Sequence, residues 1–200
     1  MTEKEWDQKL HIETIGRDAS MEDNYHYPYE PTPYTVLERM AESGYLTSSH
    51  KLIDYGCGKG RVGFFLNHSL GCEVIGIEFD TGVYEQAKRN LHNYQQQFAK
   101  MESTLKICPL AAEKYKVTDE NAFYFFNPFS VEILKGVIGK IINSYYESPR
   151  EMLLFFYYPS DEYISYLMTV DELCFVDEID CRDLFEGGND RERIVIFEIL

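Results

Sequence analysis

No stretch of this sequence approaches the roughly 18 to 20 apolar residues that a bilayer-spanning helix requires, so a helical membrane protein is not expected. The opening residues, MTEKEWDQKLHIETIGRD, lack both a basic start and an apolar core of the kind a secretory leader carries, which makes the cytoplasm the expected compartment. Cys57, Cys72, Cys108, Cys174 and Cys181 form no C-x-x-C pair and have no histidine at ligand spacing. An odd number of scattered thiols reads as reduced cysteine, with no disulfide frame and no zinc or other metal site. Positive charge is scarce, since 19 Lys and Arg face 34 Asp and Glu for a net charge of -15. A nucleic-acid backbone has to be neutralised by clustered cations, so that partner is disfavoured, whereas an acidic surface suits a basic protein. Internal repeats and low-complexity linkers are also missing.

What is present is a core-forming composition. Of 200 residues, 44% are hydrophobic and 15% aromatic, enough for one packed domain with a short extension. Residues 1–50 read as an N-terminal Tyr/Pro-rich arm and helix that would lie as a lid over a site. In EDNYHYPYEPTPY, Tyr25, Tyr27, Tyr29 and Tyr34 alternate with Pro28, Pro31 and Pro33, which favours extended backbone. Thr32 is placed to cap a helix with Pro33 in its first turn, running to Gly44. Residues 51–200 read as the main domain. KLIDY, EVIGIEF, TLKIC, AFYFFNP and EMLLFFYY are strands too apolar to alternate, and RVGFFLNHSL, TGVYEQAKRNLHNYQQQFAK and SVEILKGVIGKIINSYYE are helices between them. That series predicts an α/β fold, a doubly wound, mostly parallel sheet covered on both faces. CFVDEIDCRDLF and RERIVIFEIL, either side of EGGND, predict a C-terminal antiparallel hairpin that brings the sheet to seven strands.

The stretch KLIDYGCGKGRVGFF holds two overlapping glycine patterns. Gly58 to Gly63 spells the G-x-G-x-x-G dinucleotide fingerprint, and Gly56, Gly58 and Gly60 recur at every second place. In a parallel sheet the first βα turn lies against the ligand, and glycines let the backbone approach it. A nicotinamide dinucleotide and a nucleoside-based methyl donor both need an acid after the second strand for ribose hydroxyls, and Glu78 fits either. Three features favour the methyl donor. Asp54, two residues before the first glycine, suits an ammonium group and not a pyrophosphate. The glycine that ends the strand is Gly56, so Gly63 already belongs to the helix. A substrate domain of the usual dehydrogenase kind has no room.

Asp54-Tyr55-Gly56-Cys57-Gly58-Lys59-Gly60 resembles motif I of the Rossmann-like, seven-stranded S-adenosylmethionine-dependent methyltransferases, and the resemblance runs from about Tyr29 to Leu200. It implies S-adenosylmethionine as cofactor. Gly56, Cys57, Gly58 and Gly60 would pass under its methionine moiety, Asp54 would orient its ammonium, and Glu78 would accept from both ribose hydroxyls. Phe79 would lie on the adenine, and Ala112, in CPLAAEKY, would offer backbone to its edge, although no acid precedes the alanines as it does in the family. Cys57 is taken as a small turn residue and not a nucleophile, since no histidine is placed to activate it.

Two further segments carry resemblances. Asn127-Pro128-Phe129 is similar to the (Asp/Asn)-Pro-Pro-(Tyr/Phe) motif of methyltransferases acting on planar amino groups, but lacks the second proline. Asn127 is therefore a candidate catalytic and cofactor-binding residue, the alternative being that it only ends a strand ahead of a helix capped by Ser130. Tyr29-Glu30-Pro31-Thr32-Pro33 resembles a Tyr-x-Pro-Thr-Pro segment of a subset of the family, some of whose members modify protein lysines. There Tyr29 and Thr32 would close over the cofactor, with Tyr29 a second catalytic candidate; the alternative is simple packing of the arm. His26 is weighed as a base and set behind packing. Tyr157 and Tyr158 are placed at the rim. Asp161 and Glu162 fit a helix N-terminus.

The expected function is methyl transfer to an N or O nucleophile of a small molecule or a protein side chain. The alternatives are a non-catalytic module that keeps the cofactor-binding fold, and an NAD-dependent oxidoreductase resting on the literal Gly58–Gly63 match.

Overall fold

A computed structural model describes residues 1–16, 29–99 and 104–200. Tyr25, His26, Tyr27 and Pro28 lie outside the described residues. Seven strands, β1 (Lys51–Tyr55), β2 (Glu73–Glu78), β3 (Leu105–Pro109), β4 (Ala122–Phe125), β5 (Leu153–Tyr157), β6 (Leu173–Asp180) and β7 (Arg193–Ile199), form one sheet in the order β3-β2-β1-β4-β5-β7-β6. The first five strands are parallel, and β7 runs antiparallel to both β5 and β6. The expected doubly wound sheet with its terminal antiparallel pair is what forms.

The period-2 geometry of each strand splits the core between the two faces. Leu52, Tyr124, Phe155 and Ile196 point to one side, and Ile53, Phe123, Phe125, Phe156 and Phe197 to the other. Helices α1 (Glu3–Leu10), α2 (Tyr34–Glu42), α3 (Arg61–Leu70) and α4 (Thr81–Gln97) contribute to the first side through Trp6, Leu37, Phe64 and Tyr94. Helices α5 (Val131–Glu147) and α6 (Asp161–Leu167) cover the second through Leu134, Ile138, Ile141 and Tyr163. Both faces being covered is why the strands read as continuous apolar runs.

Helix α1 is absent from the sequence reading, which treats residues 1–50 as an arm with a single helix. Its signal is nevertheless local. Thr2 accepts from Glu5 N while the Glu5 carboxylate accepts from Thr2 N, a capping box spelled T-x-x-E. The capping role given to Thr32 is corrected. Pro33 occupies the cap position of α2 with no side-chain bond, and the Thr32 hydroxyl pairs with Tyr124 Oη at 2.8 Å inside the core. Helix α3 begins and ends where the pattern predicts, between Gly60 and Gly71, both in the left-handed region. The C-terminal strands are joined by residues 181–192 and not by a tight turn, and a single 3₁₀ turn, Arg182–Leu184, interrupts that link. Among the described residues, no helix is long and apolar enough to cross a membrane.

Candidate functional site

The strand order reverses at β1, whose neighbours β2 and β4 belong to opposite halves of the sheet. At such a switch point the carboxyl ends of the strands open into a crevice. Here the crevice is two cavities that share Gly56. The smaller, about 80 Å³, is lined by Glu78, Phe79, Asp80, Ala112, Glu113 and Phe129. The larger, about 860 Å³, takes in Tyr29, Thr32, Asp54, Cys57, Arg61, Tyr124, Asn127, Tyr157, Tyr158 and Arg191.

The glycine loop divides them. Gly56, Gly58 and Gly60 all have positive φ, at 71°, 56° and 90°. A Cβ on Gly56 would sit 2.3 Å from Pro128, and one on Gly58 would sit 2.1 Å from the Tyr29 ring, so the arm and the end of β4 close on bare backbone. The loop is anchored to β2: Gly56 N and Cys57 N both donate to Ile77 O. Glu78 braces it from the side, one carboxylate oxygen accepting from Gly58 N at 2.9 Å and the other from Asp80 N at 2.7 Å. Burial raises the Glu78 pKa above the usual carboxylate range, against the opposing pull of those backbone donors.

Asp54 lies on β1 opposite Gly76 and Tyr124. It is 2% exposed, and its Oδ2 is buried with no hydrogen-bond partner among the described residues. Burial, aided by the charge of Glu78, pushes its pKa up to about 8. An unpaired buried carboxylate oxygen is costly, and a cation in the cavity is the group that would satisfy it. Cys57 is also buried, its thiol pKa raised well above normal by desolvation, which fits a packing role and not a nucleophile. Its sulfur fills the space left by Gly76, where a Cβ would come within 2.7 Å of it.

Just beyond strands β4 and β5 stand two residues with left-handed backbone, Asn127 (φ 40°) and Tyr158 (φ 48°). The Asn127 amide ties them together, Nδ2 donating to Tyr158 O at 2.5 Å and Oδ1 accepting from Ser160 N at 3.1 Å. Arg191 adds a second tie, with its guanidinium on the Tyr158 ring and hydrogen bonds to the carbonyls of Tyr158 and Pro159. The Tyr157 hydroxyl donates to Glu192.

The chain matches no family model. The methyltransferase GfsG of Streptomyces halstedii is 32% identical over 80 residues, which are 35% of this chain and 29% of that protein. The glycopeptide N-methyltransferase MtfA, solved with S-adenosylmethionine, superposes with a TM-score of 0.61 at 13% identity, over 92% of this chain and 90% of that one. The fold is that of the S-adenosylmethionine-dependent methyltransferases. A dimethyladenosine transferase from Plasmodium falciparum superposes with a TM-score of 0.54 at 14% identity, covering 86% of this chain. The chain spans 63% of that transferase, and its match to GfsG under a third of the latter's length. At these identities the structural likeness is one of fold.

Within this methyltransferase fold, the sequence candidates separate into two groups. Glu78, Phe79 and Ala112 line the small cavity, while Asp54, Cys57, Tyr29, Thr32 and Asn127 line the large one, with Gly56 between and Gly58 and Gly60 lining neither. Tyr29 is held with its hydroxyl donating to Thr14 O at 2.7 Å, and burial keeps the phenol protonated. Asn127 and Phe129, two positions apart in their motif, face different cavities, and the Phe129 carbonyl accepts from Tyr163 Oη. Asp161 and Glu162 sit in the first turn of α6, whose cap Ser160 accepts from Tyr163 N. Arg61, Arg191 and Glu192 are lining residues the sequence reading did not select. Arg61 directly follows the glycine motif; the other two reach the cavity only because β7 inserts beside β5.

Proposed function

We propose that this chain is an S-adenosylmethionine-dependent methyltransferase acting on an N or O nucleophile of a small molecule or a protein side chain. The observation that carries the reading is the buried Oδ2 of Asp54, unpartnered among the described residues, at the mouth of the glycine loop, a place that suits an ammonium and would repel a pyrophosphate. The cofactor supplies an electrophilic methyl on a good leaving group, so the chain's task is to align the reactants and exclude water.

In this reading Gly56, Cys57, Gly58 and Gly60 present backbone to the methionine moiety and Asp54 holds its ammonium. A carboxylate has about four acceptor positions; each Glu78 oxygen accepts from one loop amide, Gly58 N or Asp80 N, and in this reading the ribose hydroxyls donate to acceptor positions that remain. Phe79 and Ala112 flank the base, and Tyr29 and Thr32 close the large cavity from the arm. Asn127 acts by fixing the ends of β4 and β5 around the acceptor, since both ends of its amide are already engaged. The acceptor end has aromatic walls in Phe126, Tyr157 and Tyr158 and acids in Asp161, Glu162 and Glu192, which favours a neutral or cationic acceptor over a phosphate-bearing one.

Calorimetric titration of S-adenosylhomocysteine, with NAD as control, tests the reading. Micromolar binding of the former alone is the expected result. Absence of binding, or preference for NAD, overturns it. The engagement of the Asn127 amide also fits a second reading, a module that binds the cofactor without turnover. Methyl transfer to any acceptor in an amine and hydroxyl panel excludes that alternative.

A further inference from the structure

Phe126 directly follows β4, Tyr157 is the last residue of β5 and Tyr158 the next, so two adjacent parallel strands deliver three aromatic rings to the large cavity. The rings meet at steep angles. Phe126 lies 4.7 Å from Tyr157 at 55° and 6.4 Å from Tyr158 at 76°, and the two tyrosines are 6.2 Å apart at 58°. A cation already rests on this cluster, since the Arg191 guanidinium stands 4.4 Å from the Tyr158 ring. A carboxylate is joined to it as well. Tyr157 faces Ile194 across the antiparallel pair, which makes Glu192 its diagonal neighbour, and the Tyr157 hydroxyl donates to Glu192 Oε2 at 2.9 Å. Tyr157 is 2% exposed, and burial together with that bond raises its pKa, so the hydroxyl stays a donor. Among the described residues Glu192 forms no ion pair, and the Arg191 N–H groups are engaged by the carbonyls of Tyr158 and Pro159.

Ring faces and a carboxylate attract the same kind of group. The negative face of each aromatic ring draws a cation, and Glu192 supplies a full charge next to those faces. An exposed carboxylate alone selects weakly, whereas one flanked by apolar rings acts through a lower dielectric. A hydroxyl gains little from such walls, and a carboxylate or phosphate is repelled by them. We infer that the methyl acceptor is an amine that enters as its ammonium, held by the rings of Phe126, Tyr157 and Tyr158 and by the Glu192 carboxylate, and that Glu192 is the residue that sets this specificity. The inference rests on the methyltransferase reading above and narrows its N or O nucleophile to a cationic nitrogen. A small amine and the amine of a peptide side chain present the same head group, and the test separates these sources.

Protein saturated with S-adenosylhomocysteine, which occupies Asp54, is titrated with butylammonium and with 1-butanol, its neutral counterpart of equal size. Ligand-observed NMR reads the affinities, and thermal unfolding checks each variant. The wild type is expected to bind butylammonium about tenfold or more tightly than 1-butanol. Glu192→Gln, which can still accept from Tyr157, is expected to reduce that preference several-fold and leave 1-butanol unchanged, while Glu192→Asp retains part of it. Should Glu192→Gln fail to fold, Phe126→Leu removes a ring and no charge, and is expected to weaken butylammonium several-fold and 1-butanol little. Equal affinities in the wild type, or a preference that Glu192→Gln and Phe126→Leu leave intact, overturns the assignment. Nα-acetyl-lysine methylamide binding more tightly than butylammonium upholds the amine and assigns it to a peptide; weaker binding upholds it and assigns a small molecule. A wild type that does not bind S-adenosylhomocysteine sinks the cofactor reading, a separate result. The same titration on Asp54→Asn then decides the amine site alone, with persistence of the ammonium preference upholding it and its loss overturning it.

Discussion

Replacing Asp54 by Asn separates a recognition role from a packing role. The side chain keeps its size and loses its charge. With the pKa pushed up to about 8, only about one empty site in ten carries the carboxylate at pH 7. Holding an ammonium requires the charged form, so binding must first release a proton. The apparent Kd for S-adenosylhomocysteine should therefore fall about tenfold per pH unit up to pH 8 and flatten above it. Buffers of different ionisation enthalpy should report close to one proton released per ligand bound at pH 7. In Asp54→Asn both signatures should vanish, and affinity at pH 8.5 should drop by about 10- to 100-fold, or ~1.4–2.8 kcal/mol. The same group acts on the empty protein with a defined sign. Its pKa is higher folded than unfolded, so its contribution to stability is complete below about pH 4 and is lost as pH rises to about 8. The wild type should lose stability relative to Asp54→Asn across that window, by up to the order of 5 kcal/mol. A wild type whose affinity is flat between pH 6 and 8, or a variant with an unchanged pH slope, would refute the reasoning.

Three other outcomes follow from the same geometry. Glu78→Gln should weaken S-adenosylhomocysteine by about 1–3 kcal/mol, because one of its oxygens becomes a donor facing Gly58 N or Asp80 N and the hydroxyls, and calorimetry checks it. Gly58→Ala should lower thermal stability by about 1–3 kcal/mol and remove cofactor binding, since φ is 56° there and the new methyl meets the Tyr29 ring; a variant that melts and binds like wild type refutes the placement of the arm. Asn127→Ala removes two hydrogen bonds between the ends of β4 and β5 and leaves alanine at φ 40°, so denaturant unfolding should show a loss of about 2–4 kcal/mol. In that variant methyl transfer should fall while cofactor affinity stays near wild type.

The sequence by itself determined the sheet and the loop. Strands such as AFYF and LLFFY are apolar on both faces, which only a doubly covered parallel sheet can bury, and the glycines of Gly56–Gly60 allow one tight turn after KLIDY. Asp54 and Glu78 were legible because their places follow from strand ends, a local property. Helix α1 was equally local, written in the capping box of Thr2 and Glu5, yet its acids gain meaning only through contacts with Arg61, about 55 positions onward in the chain. The tertiary structure alone decided which polar atoms stay unpaired. Arg61 and Asp7 carry the same residue types whether they saturate each other or leave an N–H over, and here Nη2 stands 3.9 Å from Asp7 Oδ1, beyond hydrogen-bond reach. It alone divided Asn127 from Phe129 between two cavities, and set Arg191 and Glu192 beside the acceptor end through antiparallel pairing of β7 with β5. Spacing along the chain fixes which residues end a strand; long-range pairing fixes what those ends face.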